Sequence, residues 1–348
     1  MEVGILEAFQ NHRGERDDAA HFQDELRLAE LAEPLGFDTL WCAEHHFTNY
    51  SAIPDNAQHL SYMAAKTSRI KLGTAAFILP WNHPLRVAEK IVLLDHHSQG
   101  RAVLGLGRGL SKTEFIGFGV DMRETRARFD EASRMILDAV ETGFIEGAGP
   151  YYPQVRTEIR PRPLASFRDR FYCIGMSPES ADQAARLGAR LAAFSQQQWK
   201  PWAAGTLARY RTLYEELHGR PAPPPLTVDT MYCHADPERA SAGARKFIAE
   251  YHASVMQHYE IHRGELGRTQ GYESYAIPAE LGEAAKAYVD VQAAGTPREI
   301  LDSLARRREI VGDFELAMLV KYGSMTLADA EASVRLFASE VLPEIQAW

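Results

Sequence analysis

Cysteine is scarce: Cys42, Cys173 and Cys233 are the only three in 348 residues, and no two of them form a C-x-x-C pair. An odd number at wide spacing excludes a disulfide framework and a structural zinc site built on paired thiolates, and it fits a reducing compartment. Long hydrophobic runs are missing too. No apolar stretch reaches membrane-spanning length, and the opening "MEVGILEAF" carries neither a basic segment nor a long apolar core, so a cytoplasmic protein without membrane contact is expected. Positive charge is in short supply: 38 Lys and Arg against 47 Asp and Glu leave a formal net charge of −9. That balance argues against adhesion to nucleic acid or anionic lipid but leaves room for one local basic pocket. No fixed-period repeat is present. What remains, 45% hydrophobic and 24% charged residues, is the composition of a globular protein whose partner is a small molecule.

Along the chain, strand-like and helix-like segments alternate with short breaks, the pattern of parallel βα units. Strands are predicted near Val3–Leu6, Thr39–Cys42, Ile70–Leu79, Ala102–Leu106, Phe171–Gly175, Leu191–Ser195, Leu226–Tyr232 and Phe314–Val320. Between them, apolar residues recur at helical spacing over Asp18–Leu35, Pro84–His97, Met122–Thr142, Ser180–Leu187, Leu207–Leu217, Pro237–Tyr251 and Leu327–Val341. Eight such strands point to a (β/α)₈ TIM barrel with its site at the carboxyl ends of the strands, although periodicity alone also accommodates a doubly wound open sheet. One domain over 1–348 is the simplest division. Two stretches interrupt the alternation: 147–167, which reads as a hairpin-like excursion, and 260–295, which reads as an active-site lid.

The chemistry gathers at strand ends. Arg108 lies in "VLGLGRGL", where Gly105, Gly107 and Gly109 let backbone approach a ligand; the spacing is neither G-x-G-x-x-G nor a P-loop, so tight packing beside a surface ion pair explains it about as well. In "IGMSPES", Pro178 opens a helix and makes Ser177 its N-cap, where hydroxyl and free amides suit an anion, or where the helix is simply capped. Arg126 could reach the same place from the next helix. In "WCAEHHFTNY", adjacent residues on a strand point to opposite faces, so at most one of His45 and His46 faces inward. A metal triad of Glu44, His45 and His83 or His96 is disfavoured because the adjacent histidine points away from it, and no metal is expected.

These motifs, together with "GFDTLW…EHHFT", "GTAAFILP…HPLR…E", "LLD…SQGR", "FGVDM…R" and "GTPREI", lie in one order over nearly the whole chain. In that order the chain resembles the bacterial luciferase-like flavin-dependent monooxygenases, especially the alkanal-oxidising luciferase α chain. The resemblance implies a (β/α)₈ barrel holding FMN in its reduced form, delivered by a separate flavin reductase, and a homodimer. It implies that Arg108, Arg126, Ser177 and Ser180 hold the phosphate, that Met176 borders the flavin, and that Ala75-Ala76 forms a non-prolyl cis peptide under the ring. It assigns His45 as the catalytic histidine, leaving His46 to packing and Glu44 to holding the loop. The implied reaction uses dioxygen, through a flavin hydroperoxide, to oxidise a small aldehyde or ketone. Gly107 and Met176 stand where light-emitting chains carry cysteine and glutamate, so light emission is not implied. Gln196, Gln197 and Gln198 in "SQQQWKPW" face a polar substrate or are simply loop. Two other readings remain: hydride transfer with FMN or a deazaflavin, and a flavin-binding protein without catalysis.

Overall fold

The computed structural model describes residues 1–264, 266–269, 272 and 281–348. Eight parallel strands form the centre: β1 (Val3–Glu7), β2 (Thr39–Cys42), β3 (Lys71–Thr74), β4 (Ala102–Gly107), β5 (Phe171–Ile174), β6 (Arg190–Phe194), β7 (Leu226–Thr230) and β8 (Glu315–Leu319). Each pairs with the next in chain order, as Gly4 with Thr39 and Leu72 with Ala102. β8 returns to β1 through Val3 and Leu316, so the sheet has no edge. Closure resolves the choice left by periodicity: the chain is a (β/α)₈ barrel and not an open sheet.

Strand pleat divides the core in two. In β2, Leu40 and Cys42 turn outward to the helices, whereas Trp41 turns inward to meet Leu6, Val103, Tyr172 and Ala317 inside the barrel. The indole is accommodated by absent side chains. A Cβ on Gly4 would stand 2.9 Å from Trp41 Cδ1, and one on Gly73 would stand 2.3 Å from Trp41 Cε3. Gly73→Ala is therefore expected to overpack the interior and lower stability by about 1–3 kcal/mol, read from the urea midpoint at unchanged slope; an unshifted midpoint would mean that the indole has somewhere else to go.

Two predicted strands divide. The run Ile70–Leu79 gives β3 and a separate pair, Phe77–Ile78, on either side of Ala75-Ala76, which is a non-prolyl cis peptide. The run Leu226–Tyr232 gives β7 and then Tyr232–Cys233, which leaves the barrel to pair with Ala294–Gly295. Within the excursion, Gln154–Glu158 pairs antiparallel with Phe144–Gly147, a strand that begins three residues before 147. Helices begin where side chains cap them: Asp17, Asp55, Ser177, Asp236, Thr296 and Thr326 each accept a backbone N–H of the first turn. Pro178 and not Ser180 opens the helix Pro178–Leu187. The helical rod predicted to stop at Tyr251 continues, through Ala244–Ile248 and Ala249–His258, far enough to hang over the carboxyl ends of the strands. Helices at Asn56–Lys66, Lys112–Gly117 and Pro297–Val311 were not anticipated. Of the expected lid, residues 265, 270, 271 and 273–280 lie outside the described ones.

Candidate active site

A cleft with about 1150 Å³ of empty space, counted out to open solvent, lies at the carboxyl ends of the strands. β2 ends at Cys42, three residues short of His45, so the strand pleat invoked for the two histidines does not reach them. Loop hydrogen bonds separate them instead. The Glu44 carboxylate is buried and accepts from Trp81 Nε1 (2.8 Å), Asn82 Nδ2 (2.7 Å) and the Ile78 amide (3.3 Å), which pins the loop to the segment after β3. The His45 amide then donates to Ile53 O at 3.1 Å, and the His46 amide to Glu114 at 2.7 Å. His45 lines the cleft. His46 turns away into a cluster of rings, 4.7 Å from Phe118 and 5.9 Å from Trp81.

The residue that sequence reasoning missed is Glu114. It projects from the short helix Lys112–Gly117, which follows the glycine-rich turn after β4, and its side chain is 1% exposed. Its Oε1 lies 2.9 Å from His45 Nδ1. Burial works against its ionisation, but the charge and hydrogen bond of His45, the His46 amide and the charge of His258 outweigh it, so the carboxyl sits below the usual range. A carboxylate accepts only, so the His45 proton belongs on Nδ1 and the Nε2 lone pair is left toward the cleft, 3.5 Å from the Tyr259 hydroxyl. His258 closes this corner with its Nε2 4.0 Å from Glu114, and burial holds its pKa down to about 3, with His45 adding to the effect. Its ring stacks on Tyr50 at 4.2 Å.

The opposite end is cationic. Arg108 follows β4, lines the cleft, and sets its guanidinium 4.0 Å above the Tyr272 ring. The Tyr272 hydroxyl donates to Gly109 O at 3.2 Å. Ser177 and Ser180 form a reciprocal capping box, with the Ser177 amide donating to Ser180 Oγ at 2.9 Å; Ser180 lines the cleft and Ser177 stands behind it. Arg126 is not part of the lining, yet it lies near enough to favour the ionised forms of Tyr272 and Cys173, against the burial that pushes both pKa values up. Burial raises the Asp130 carboxyl although Arg126, Arg134 and Arg108 all pull it down, which places the three cations together. Between the two ends, Ala75, Ala76, Ile78, Gly107, Ile174 and Met176 make a flat apolar floor. A Cβ on Gly107 would stand 3.0 Å from Ile78 Cδ1 and 3.4 Å from Ala76 Cβ. Small residues under the cleft and cations at its end suit a planar ring carrying a phosphate. All three glutamines, Gln196, Gln197 and Gln198, are exposed on the loop after β6, and of them Gln196 lines the cleft.

The model of the family described as luciferase-like monooxygenase matches residues 1–313. The alkanal monooxygenase alpha chain of Photorhabdus luminescens is 24% identical over 334 residues, covering 91% of this chain and 90% of that one. Among solved structures, monooxygenase RslO1 from Streptomyces bottropensis superposes with a TM-score of 0.80 at 27% identity, over 99% of this chain and 100% of that one. The oxygenating constituent of 3,6-diketocamphane monooxygenase from Pseudomonas putida, a type II Baeyer-Villiger enzyme in complex with FMN, gives 0.77 at 18% identity, over 99% and 98%. An F420-dependent secondary alcohol dehydrogenase gives 0.73 at 14%, over 98% of each chain, which shows that the shared fold also carries a deazaflavin.

Proposed function

Because the chain belongs to the luciferase-like monooxygenase family, we propose that it is a two-component enzyme that takes reduced FMN from a separate reductase and uses dioxygen to oxidise a small aldehyde or ketone. The observation that carries this reading is an imidazole with one nitrogen tied to a buried carboxylate, His45 on Glu114, facing a small-residue floor whose far end is cationic. Reduced FMN would supply the two electrons that activate dioxygen. Arg108, Arg126 and the capped helix start at Ser177 and Ser180 would hold its phosphate, where a guanidinium and helix amides suit a dianion. Ala75, Ala76, Gly107 and Met176 would leave room for the ring. His45, holding its own proton on Nδ1, would accept and return one at Nε2, and the surrounding tyrosines would keep water from the reacting atoms. Gln196 would offer the substrate a polar contact at the rim.

The test is to mix reduced-FMN-loaded protein with aerated buffer and follow absorbance. A species lasting seconds and distinct from both reduced and oxidised flavin supports the oxygenase. Immediate return to oxidised flavin would sink it and leave hydride transfer, with FMN or a deazaflavin, or mere flavin binding. Arg108→Ala is expected to weaken FMN binding by about 1.5–3 kcal/mol for a lost charge-assisted hydrogen bond. Fluorescence titration reads this, and unchanged affinity would move the phosphate elsewhere. The enzyme would work in the cytoplasm as a homodimer; a solution mass of one chain would remove the pairing. No helix among the described residues is long and apolar enough to cross a membrane.

A further inference from the structure

We propose that His45, Glu114 and His258 form a binding site for a divalent transition-metal ion of the zinc type, and that an ion held there silences the cleft. The three side chains come from the loop after β2, the helix Lys112–Gly117 and the end of the helix Ala249–His258. One ligand atom from each lies within 4.8 Å of the other two. Glu114 Oε1 stands 2.9 Å from His45 Nδ1 and 4.0 Å from His258 Nε2. Ligands at about 2.0–2.2 Å from a tetrahedral zinc lie roughly 3.4 Å apart, and the two separations from Glu114 bracket that distance. This is a different set from the Glu44-centred triad disfavoured on sequence grounds, since Glu44 is fully engaged by Trp81, Asn82 and Ile78.

An independent observation points to a ligand. The His258 side chain is 2% exposed, and its Nε2 is buried, faces Glu114, and has no hydrogen-bond partner among the described residues. Its Nδ1 lies 3.2 Å from Thr48 Oγ1, a hydroxyl that can accept the Nδ1 proton and so free the Nε2 lone pair for an ion beside the carboxylate. The Tyr50 ring fixes the imidazole plane. A neutral imidazole oriented through its second nitrogen is how metal-binding histidines are prepared. Burial, which keeps His258 uncharged, works in the same direction. Two nitrogens and one carboxylate suit zinc, cobalt or nickel, whereas calcium and magnesium prefer oxygen throughout. His258 and Tyr50 also line a separate polar cleft with Gln10, Arg13 and Ser254, which gives an ion a route in. Coordination at His45 Nδ1 requires the one ring proton to move to Nε2. No proton is lost, but the lone pair that faced the cleft is, and the Glu114 carboxylate is turned to the metal.

The experiment uses Co²⁺ as the probe, titrated into the untagged, flavin-free full chain and followed by its visible d–d absorbance. One tetrahedral-type site per chain is expected. His258→Ala should weaken it at least about tenfold, and Thr48→Val, which keeps the ligands but frees the ring, roughly 10–100-fold. Absence of a stoichiometric signal, or equal affinity in wild type and both variants, overturns the site. Neither flavin nor substrate is involved, so this outcome is separate from the fate of the proposed monooxygenase. For the silencing, Zn²⁺ should halt flavin-dependent oxygen consumption in wild type and need at least about tenfold more ion in Thr48→Val; equal sensitivity overturns that part.

Discussion

His45→Ala should leave folding and FMN affinity nearly intact while turnover falls on the order of 10²–10⁴-fold, the usual contribution of a positioned acid or base. The side chain is 18% exposed and borders the cleft, so its removal opens space that water already reaches and costs little packing. His46→Ala should show the opposite balance. Its ring packs edge-on against Phe118 and Trp81, and its Nε2 lies 3.3 Å from the Glu44 carboxylate that pins the loop. Truncation there leaves a cavity among aromatic rings, and stability is lost before chemistry. The discriminating measurement is kcat beside the denaturation midpoint for both variants. If His46→Ala kept the midpoint and lost turnover while His45→Ala stayed active, the two roles would have to be exchanged.

Much of the barrel was legible because its signals are local. The alternation in "FDTLW", the prolines that open helices and the runs of apolar residues each report on a few neighbours, and all eight strands fall where those signals put them. The failures have physical reasons. Ile70–Leu79 reads as one strand because no proline or polar turn cluster interrupts it, and nothing in that periodicity marks the peptide at Ala75-Ala76; only the family resemblance did. The helix Pro297–Val311 is opened by a full capping box in "GTPREI", Thr296 with Glu299, a signal that is local and legible in the sequence. Glu114 is another matter. Its importance arises from the meeting of a loop and a short helix 69 residues apart, and an acid in "SKTEF" is indistinguishable by itself from a solvated helix charge. Arg307 is similar: it is fully buried, with NH1 3.0 Å from Asp229 Oδ1 and Thr227 Oγ1, behind β7, in a stretch whose arginines read as surface charge. Its partners could be known only once the barrel had closed.

Glu114→Gln is expected to lower kcat by roughly 10²–10⁴-fold, comparable to removing the base it serves, because the charge and the tautomer of His45 depend on it. The carboxylate accepts from both His45 Nδ1 and the His46 amide. A glutamine has one acceptor oxygen for the two donors. If the oxygen keeps both bonds, the geometry survives but the negative charge that would stabilise a protonated His45 is gone. If the NH₂ turns to His45 instead, the ring must move its proton to Nε2 and loses the lone pair facing the cleft. Either way FMN affinity should hold while chemistry fails, and turnover within threefold of wild type would show that His45 needs no anchor. The stability effect has a definite sign with pH. Because the folded carboxyl lies below its ordinary value, its charged form stabilises the fold above the unfolded carboxylate pKa, about 4.3, and that contribution is lost as pH falls through the lower folded value. The gap in denaturation midpoint between wild type and Glu114→Gln should therefore be full at pH 7, still present at pH 5, and shrink toward pH 3. A gap that stayed constant down to pH 3 would mean that the glutamine acts by displacing its neighbours and not by removing the charge.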